Sequence, residues 1–214
     1  MYMATKKAKA QVVPAKQSKL DRFLPWLLAI GGIIGLICSL VLTYDQIQVW
    51  EDPSFIPSCN LNPILSCGSV MNSGEGHILG IPGPFFGLIT FAVLTTIGVA
   101  LLAGANLKRW FWQGLQLGAI GGVGYALWLF WLSLFNIHAL CPFCLAVDAV
   151  VYVLAWYITL YNIDKGHIPI PKQLTGAARF ARQHHLDLVV LWFLMVAGYI
   201  LYHFWYYFGK HLPF

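Results

Sequence analysis

Long apolar runs separated by short polar breaks dominate the chain, and the runs are too uniform to be single stripes of soluble helices. Asp, Glu, Lys and Arg are absent from Phe23 to Tyr44, Gly76 to Leu107, Trp110 to Val147, Ala149 to Ile163 and Leu188 to Gly209. A helix rises about 1.5 Å per residue, so roughly 20 apolar residues cross a bilayer core. The Trp110–Val147 run is too long for one crossing and breaks at the polar Asn136-Ile137-His138. The pattern predicts an all-α membrane protein with five spans, about 24–44, 83–105, 111–135, 141–161 and 188–208.

Composition agrees: 59% of residues are hydrophobic and 10% charged, against about 25% charged in a soluble domain. The basic start resembles a signal peptide, but its apolar stretch is too long and no small-x-small site follows, so the first span is read as uncleaved. A net charge of +5 would suggest nucleic acid in a soluble protein; here it sets topology, and no nucleic-acid partner is expected. Lys6, Lys7, Lys9, Lys16, Lys19, Arg22, Lys108, Arg109, Lys165, Lys172, Arg179 and Arg182 fall on one side of the spans, and only Lys210 on the other. The positive-inside rule makes the first side cytoplasmic. The loop 45–82 and the turn 136–140 then face outward, the periplasmic side of a bacterial inner or cell membrane.

The expected organisation is a cytoplasmic basic tail over 1–22, a four-helix core over 23–161, a linker over 162–187 and a fifth helix with a short outward tail over 188–214. The stretch 4–20 is expected to be disordered, and the linker to lie on anionic membrane lipids. Gly118 and Gly122 are spaced for close helix packing. Trp26, Trp50, Trp110, Trp112, Trp192, Trp205, Tyr206 and Tyr207 read as interface anchors.

On this topology four of the five cysteines share the outer face. Cys59 and Cys67 lie in the loop, and Cys141 and Cys144 form a C-x-x-C at the outer start of the fourth span. Disulfides persist in such compartments. Free N–H groups and the positive helix end favour a thiolate, the nucleophile of disulfide exchange, and Pro142 suits the first turn. A zinc site does not match these spacings, so no metal is expected. A purely structural 59–67 staple is the other alternative; exchange between the pairs is the favoured reading. Asn62-Pro63 reads as a helix start that puts Cys67 on a short helix and leaves Cys59 more open to a partner. Cys38, in mid-span, reads as a small buried hydrophobe. His138 either stabilises a thiolate or marks a helix end.

Cys59-x7-Cys67, then Ser73, then Cys141-x-x-Cys144 two spans later resembles the vitamin K epoxide reductase family, and "FFGL" at 85–88 and "YALW" at 125–128 resemble its second and third spans. The resemblance covers about 24–161. It implies a four-helix bundle around a quinone of menaquinone, ubiquinone or vitamin K type, with Ser73 and Phe86 beside it. It also implies an electron path from partner thiols to Cys59, then from Cys67 to Cys141, then from Cys144 to the quinone. The depth of Cys144, about 4.5 Å below Cys141 along a helix, agrees with that order. The resting disulfides remain open: 59–67 with 141–144, or a 67–141 cross-link.

Two features depart from the animal members. The fifth span is like that of bacterial relatives, but no thioredoxin-like domain follows it, so an extracytoplasmic thioredoxin-like (DsbA-like) protein is the expected partner. Asp148 stands where animal relatives carry tyrosine, at i+4 from Cys144 and i+7 from Cys141. An acid inside a membrane is a functional candidate, and proton delivery to the reduced quinone is its expected role. The expectation is a thiol oxidase that forms disulfides in the partner. Vitamin K epoxide or quinone reduction, and a non-catalytic scaffold or transporter, are the alternatives.

Overall fold

The computed structural model describes residues 19–205, apart from 53, 63, 74, 75, 79, 170, 172 and 174. Most of the basic tail, the segment after residue 205 and the anchors Tyr206 and Tyr207 lie outside them. Among the described residues five helices are long and apolar enough to cross a membrane, and the chain is a multi-pass integral membrane protein. They are α1 (Lys19–Glu51), α3 (Gly83–Leu102), α4 (Arg109–Leu132, continued by a π-helical turn Ser133–Ile137), α5 (Pro142–Asp164) and α7 (His185–His203). Between them lie a short helix α2 (Cys67–Asn72), a small hairpin of β1 (His77–Ile78) and β2 (Ile81–Pro82), and helix α6 (Thr175–Gln183) within the linker.

Helix α1 shows why these sequences form a bundle. Leu24, Leu28, Gly31, Gly35, Ser39 and Leu42 recur at helical spacing and are buried, whereas Ile30, Ile33, Ile37, Leu40 and Tyr44 are exposed. The exposed apolar face suits lipid. The buried face carries the smaller residues, because packing rather than hydrophobicity distinguishes an interior from a bilayer. α1 packs along α3 and α5, and α4 packs along α5. The helix also outlasts its apolar run. It continues through Asp45 and Gln46, each 3% exposed, to Glu51, so the loop expected to begin at 45 begins instead after α1. The buried phase of Ser39 and Leu42 simply carries on.

Close approach occurs between α1 and α3 rather than at the expected glycine pair. A Cβ on Gly98 would lie 2.4 Å from the Ala29 amide nitrogen, and one on Gly32 would lie 2.8 Å from that of Thr95. Gly118 faces open space, and Gly122 meets only Val151, at 3.5 Å. Trp112 also departs from its expected place: it is 3% exposed, stacks with His167 and packs at a tilt against Tyr161.

At the end of the bundle away from the cysteines, Leu24, Leu28, Leu154, Tyr157 and Ile158 form the core. Beside it the fully buried Asn162 donates to the Trp112 carbonyl and to Gln116 Oε1, and Gln116 donates to Thr159. A buried amide with partners costs little, whereas one without them is expensive. Ion pairs Lys165–Asp21 at 2.7 Å and Arg182–Asp164 at 2.5 Å tie the linker to this end.

The α1–α3 contact generates a direct test. Gly98→Ala is expected to lower stability by about 2 kcal/mol through overpacking, read as a lower unfolding midpoint in detergent. Gly118→Ala, made in open space, is expected to leave that midpoint in place.

Candidate functional site

The loop after α1 is held by short-range capping bonds that its Asn and Ser residues supply. Ser54 N–H and hydroxyl both donate to the Asp52 carboxylate and hold it below the usual carboxylate range, the hydroxyl bond being the larger cause. Asn62 Oδ1 accepts from the N–H groups of Ile64 and Leu65, an Asx turn. Contrary to the expectation that Asn62-Pro63 starts the helix, Asn62 does not cap α2; Ser66 does, accepting from Ser69 N–H. Asparagine competes well for the nearest free amides, so the turn forms first and the helix starts four residues later. Asn60 Oδ1 accepts from Gly68 N–H and from the Ser66 hydroxyl, which fixes the start of α2 beside Cys59.

This segment then pairs with the approach to α5. Leu65 and Leu140 form an isolated parallel bridge, in which Leu140 N–H donates to the Ile64 carbonyl at 2.6 Å and Ser66 N–H to the Leu140 carbonyl at 3.0 Å. His138, with φ +56°, ends the π-helical turn in a left-handed conformation and turns the chain toward the bridge. It is therefore the helix-end residue of the two roles expected for it. Ile64, Leu134 and Leu140 are covered by Phe204, which is fully buried at the end of α7. His203 Nε2 donates to the Leu134 carbonyl at 2.9 Å.

The bridge brings the two cysteine pairs together. Cys59 and Cys67 form a disulfide, while Cys141 and Cys144 are free thiols. Cys141 Sγ lies 3.3 Å from Cys67 Sγ, within the roughly 3–3.5 Å of a near-attack arrangement. Cys141 is the N-cap of α5, and its sulfur accepts the Cys144 N–H at 3.2 Å. Negative charge on that sulfur is favoured by the helix end. Cys59, Cys67 and Cys141 are 5%, 0% and 2% exposed and pack with Leu42 and Met71. Cys59 is thus covered rather than open as expected, because α1 runs on past Tyr44 and lays Leu42 and Asp45 against it. Cys38 is half-buried in α1.

Between the four core helices, below these sulfurs, lies a partly open cavity of about 150 Å³. Its walls are mainly apolar, including Leu42, Met71, Phe86 and Val147, and Cys141, Cys144, Tyr125 and Asp148 also line it. Asp148 is 8% exposed. Tyr125 hydroxyl donates to the Gly76 carbonyl at 2.9 Å and closes the hairpin over one side. Apolar walls, a few polar groups and a thiol in the lining suit a quinone ring. Of the expected quinone contacts, Phe86 and Asp148 line the cavity. Ser73 does not: it caps the end of α2, and its hydroxyl donates to the Val70 carbonyl at 2.8 Å. A serine at a helix end finds the carbonyl three residues back before it finds a more distant group.

The chain matches the vitamin K epoxide reductase family over residues 26–159, which takes in most of α1, both cysteine pairs and most of α5. No curated protein is matched.

The sulfur contact predicts a selective cross-link. With Cys59 and Cys144 replaced by alanine, mild oxidation is expected to join Cys67 to Cys141 nearly completely, as read by peptide mass spectrometry. With Cys59 and Cys141 replaced instead, the deeper Cys144 is expected to join Cys67 at least about 10-fold more slowly, because it lacks the near-attack geometry.

Proposed function

We propose that this chain, which belongs to the vitamin K epoxide reductase family, oxidises the dithiol of a separate thioredoxin-like protein and delivers the electrons to a membrane quinone. Membership makes it a quinone-linked thiol–disulfide oxidoreductase of the membrane; the direction, the partner and the sidedness are the reading argued here. The observation that carries it is the 3.3 Å separation of Cys67 and Cys141, which makes one electron route out of two cysteine pairs. The basic residues grouped at one side of the spans support an outward-facing site, where thiol oxidation is useful.

In this reading a partner thiolate attacks Cys59 and opens the Cys59–Cys67 disulfide, and the partner's second thiol then attacks the mixed disulfide, so that the partner leaves oxidised and Cys59 is freed as a thiol. Cys67, freed, attacks Cys141 of an oxidised 141–144 pair, and Cys144 leaves as thiolate at the cavity edge. Cys59 then attacks Cys67, restores the 59–67 disulfide and releases Cys141. Each step exchanges one S–S bond for another, so electrons move as pairs and no other oxidant is needed until the cavity is reached. A quinone held there by Phe86, Tyr125 and Asp148 supplies a two-electron, two-proton acceptor. Asp148 holds a proton at the cavity wall, beside Cys144. The apolar packing of Leu42 and Met71 keeps water from the sulfurs.

One observation favours a second reading. Cys59 is only 5% exposed, which a small reductant passing through the loop would meet more easily than a protein would. That reading makes quinone or epoxide reduction the purpose.

Trapping separates the two. In cells expressing Cys67→Ala, acid quenching and alkylation are expected to recover a thioredoxin-like protein disulfide-bonded to Cys59. No adduct, with Cys141 and Cys144 still turning over, would favour the small reductant. Separately, Asp148→Asn is expected to slow quinone reduction about 100-fold, the range of a lost general acid or base, with the 67–141 cross-link unaffected.

A further inference from the structure

Two acids are buried at this end of the bundle, and they serve different places. Asp148 lines the cavity, but Asp45 does not. Asp45 is 3% exposed, and its Oδ2 lies 3.8 Å from Cys59 Sγ. Among the described residues it takes part in no ion pair, and the Cys59 sulfur, bonded to Cys67 and without a hydrogen to donate, is the side-chain heteroatom beside it. Burying a carboxyl group beside one sulfur and an apolar cluster is costly, and neither the packing of α1 nor the cavity explains it. A buried acid within reach of a reacting sulfur has the placement of a proton-transfer group.

We propose that Asp45 is a catalytic residue that accepts the proton of Cys59 when Cys59 resolves the bond between the two cysteine pairs. The inference rests on the relay proposed above. Before that step Cys67 is bonded to Cys141 and Cys59 is a thiol. The thiolate is the nucleophile in exchange, so Cys59 must lose its proton inside an apolar cluster that water reaches poorly. Asp45 takes it. The Cys59–Cys67 bond forms, the Cys67–Cys141 bond breaks, and the electron pair of the broken bond goes to the Cys141 sulfur. The disulfide between Cys59 and Cys67, with Cys141 free and 3.3 Å away, is the product of that step. In the reverse direction Asp45 returns the proton to Cys59 as it leaves. The role is the same whichever way electrons flow.

The division of labour this implies is one acid at each end of the relay. Leu42, one turn before Asp45 on α1, packs against the cysteines, so the helix that seals the sulfurs also carries the proton acceptor. Extending α1 beyond its apolar run is what delivers Asp45 to Cys59.

The test uses the full chain in membranes that contain quinone, with dithiothreitol as reductant, and follows the Cys67–Cys141 species by rapid acid quench and mass spectrometry. Asp45→Asn is expected to slow decay of that species at least about 100-fold, so that it accumulates as it does in Cys59→Ala. Asp45→Glu, which keeps the carboxyl group, is expected to restore most of the rate. Decay at the unaltered rate in Asp45→Asn, with Cys59→Ala still trapping, would overturn the role of Asp45 and leave the relay intact. An Asp45→Asn variant that never forms the species would make Asp45 structural and also overturn the proposal. Absence of the species in Cys59→Ala itself would overturn the relay, and the role of Asp45 with it.

Discussion

Two backbone hydrogen bonds, from Leu140 N–H to Ile64 and from Ser66 N–H to Leu140, hold the site together. They join a loop after α1 to the start of α5, segments more than 70 residues apart in the chain, and because the pairing is parallel they leave Cys67 and Cys141 past the same end of the join. A single pair of exposed loop bonds would exchange readily with water. These are shielded by Ile64, Leu134, Leu140 and Phe204, and a buried backbone group that lost its partner would cost about 1–3 kcal/mol. The fifth membrane helix acquires a role from this: its last residues cover the bridge although the rest of α7 has no buried residue.

Everything around the join is arranged to let sulfur chemistry proceed without water. The cysteines sit in a small apolar cluster, the cavity begins beneath Cys141 and Cys144 with Asp148 in its wall, and Asp45 lies outside it beside Cys59. Close packing of α1 on α3 keeps the cluster in place from below. Since thiol exchange is reversible and its direction follows potentials, what the protein contributes in the proposed relay is geometry and proton handling rather than a fixed direction.

The five spans were legible because the absence of charge over 20 residues has one physical explanation; α1 and α5 run on past their apolar stretches to Glu51 and Asp164, whereas α3 stops at Leu102, short of the expected 105, where Gly104 takes a positive φ of 91°. The four cysteines were legible from spacing and side. Asp45 was not, because a charged residue just after an apolar run reads as loop; its only signal is that it continues the helical phase of Ser39 and Leu42. The Leu65–Leu140 bridge and the cover provided by Phe204 left no pattern at all, since two residues of backbone pairing and one aromatic contact have no periodicity. The glycine spacing in α4 misled for a related reason: a small-residue motif permits close approach, but the partner helix decides where it happens, and here it happens between α1 and α3.

The most direct measurement is made with the purified protein in lipid nanodiscs containing a quinone, to which a reduced thioredoxin-like protein is added. Quinone absorbance and free thiols are followed together. The account predicts that thiols and quinone disappear in a two-to-one ratio, as a two-electron couple requires, and that Cys141→Ala stops both. Quinone reduction that continues in Cys141→Ala, or thiol loss without quinone reduction, would contradict a relay from the loop pair through Cys141 to the cavity.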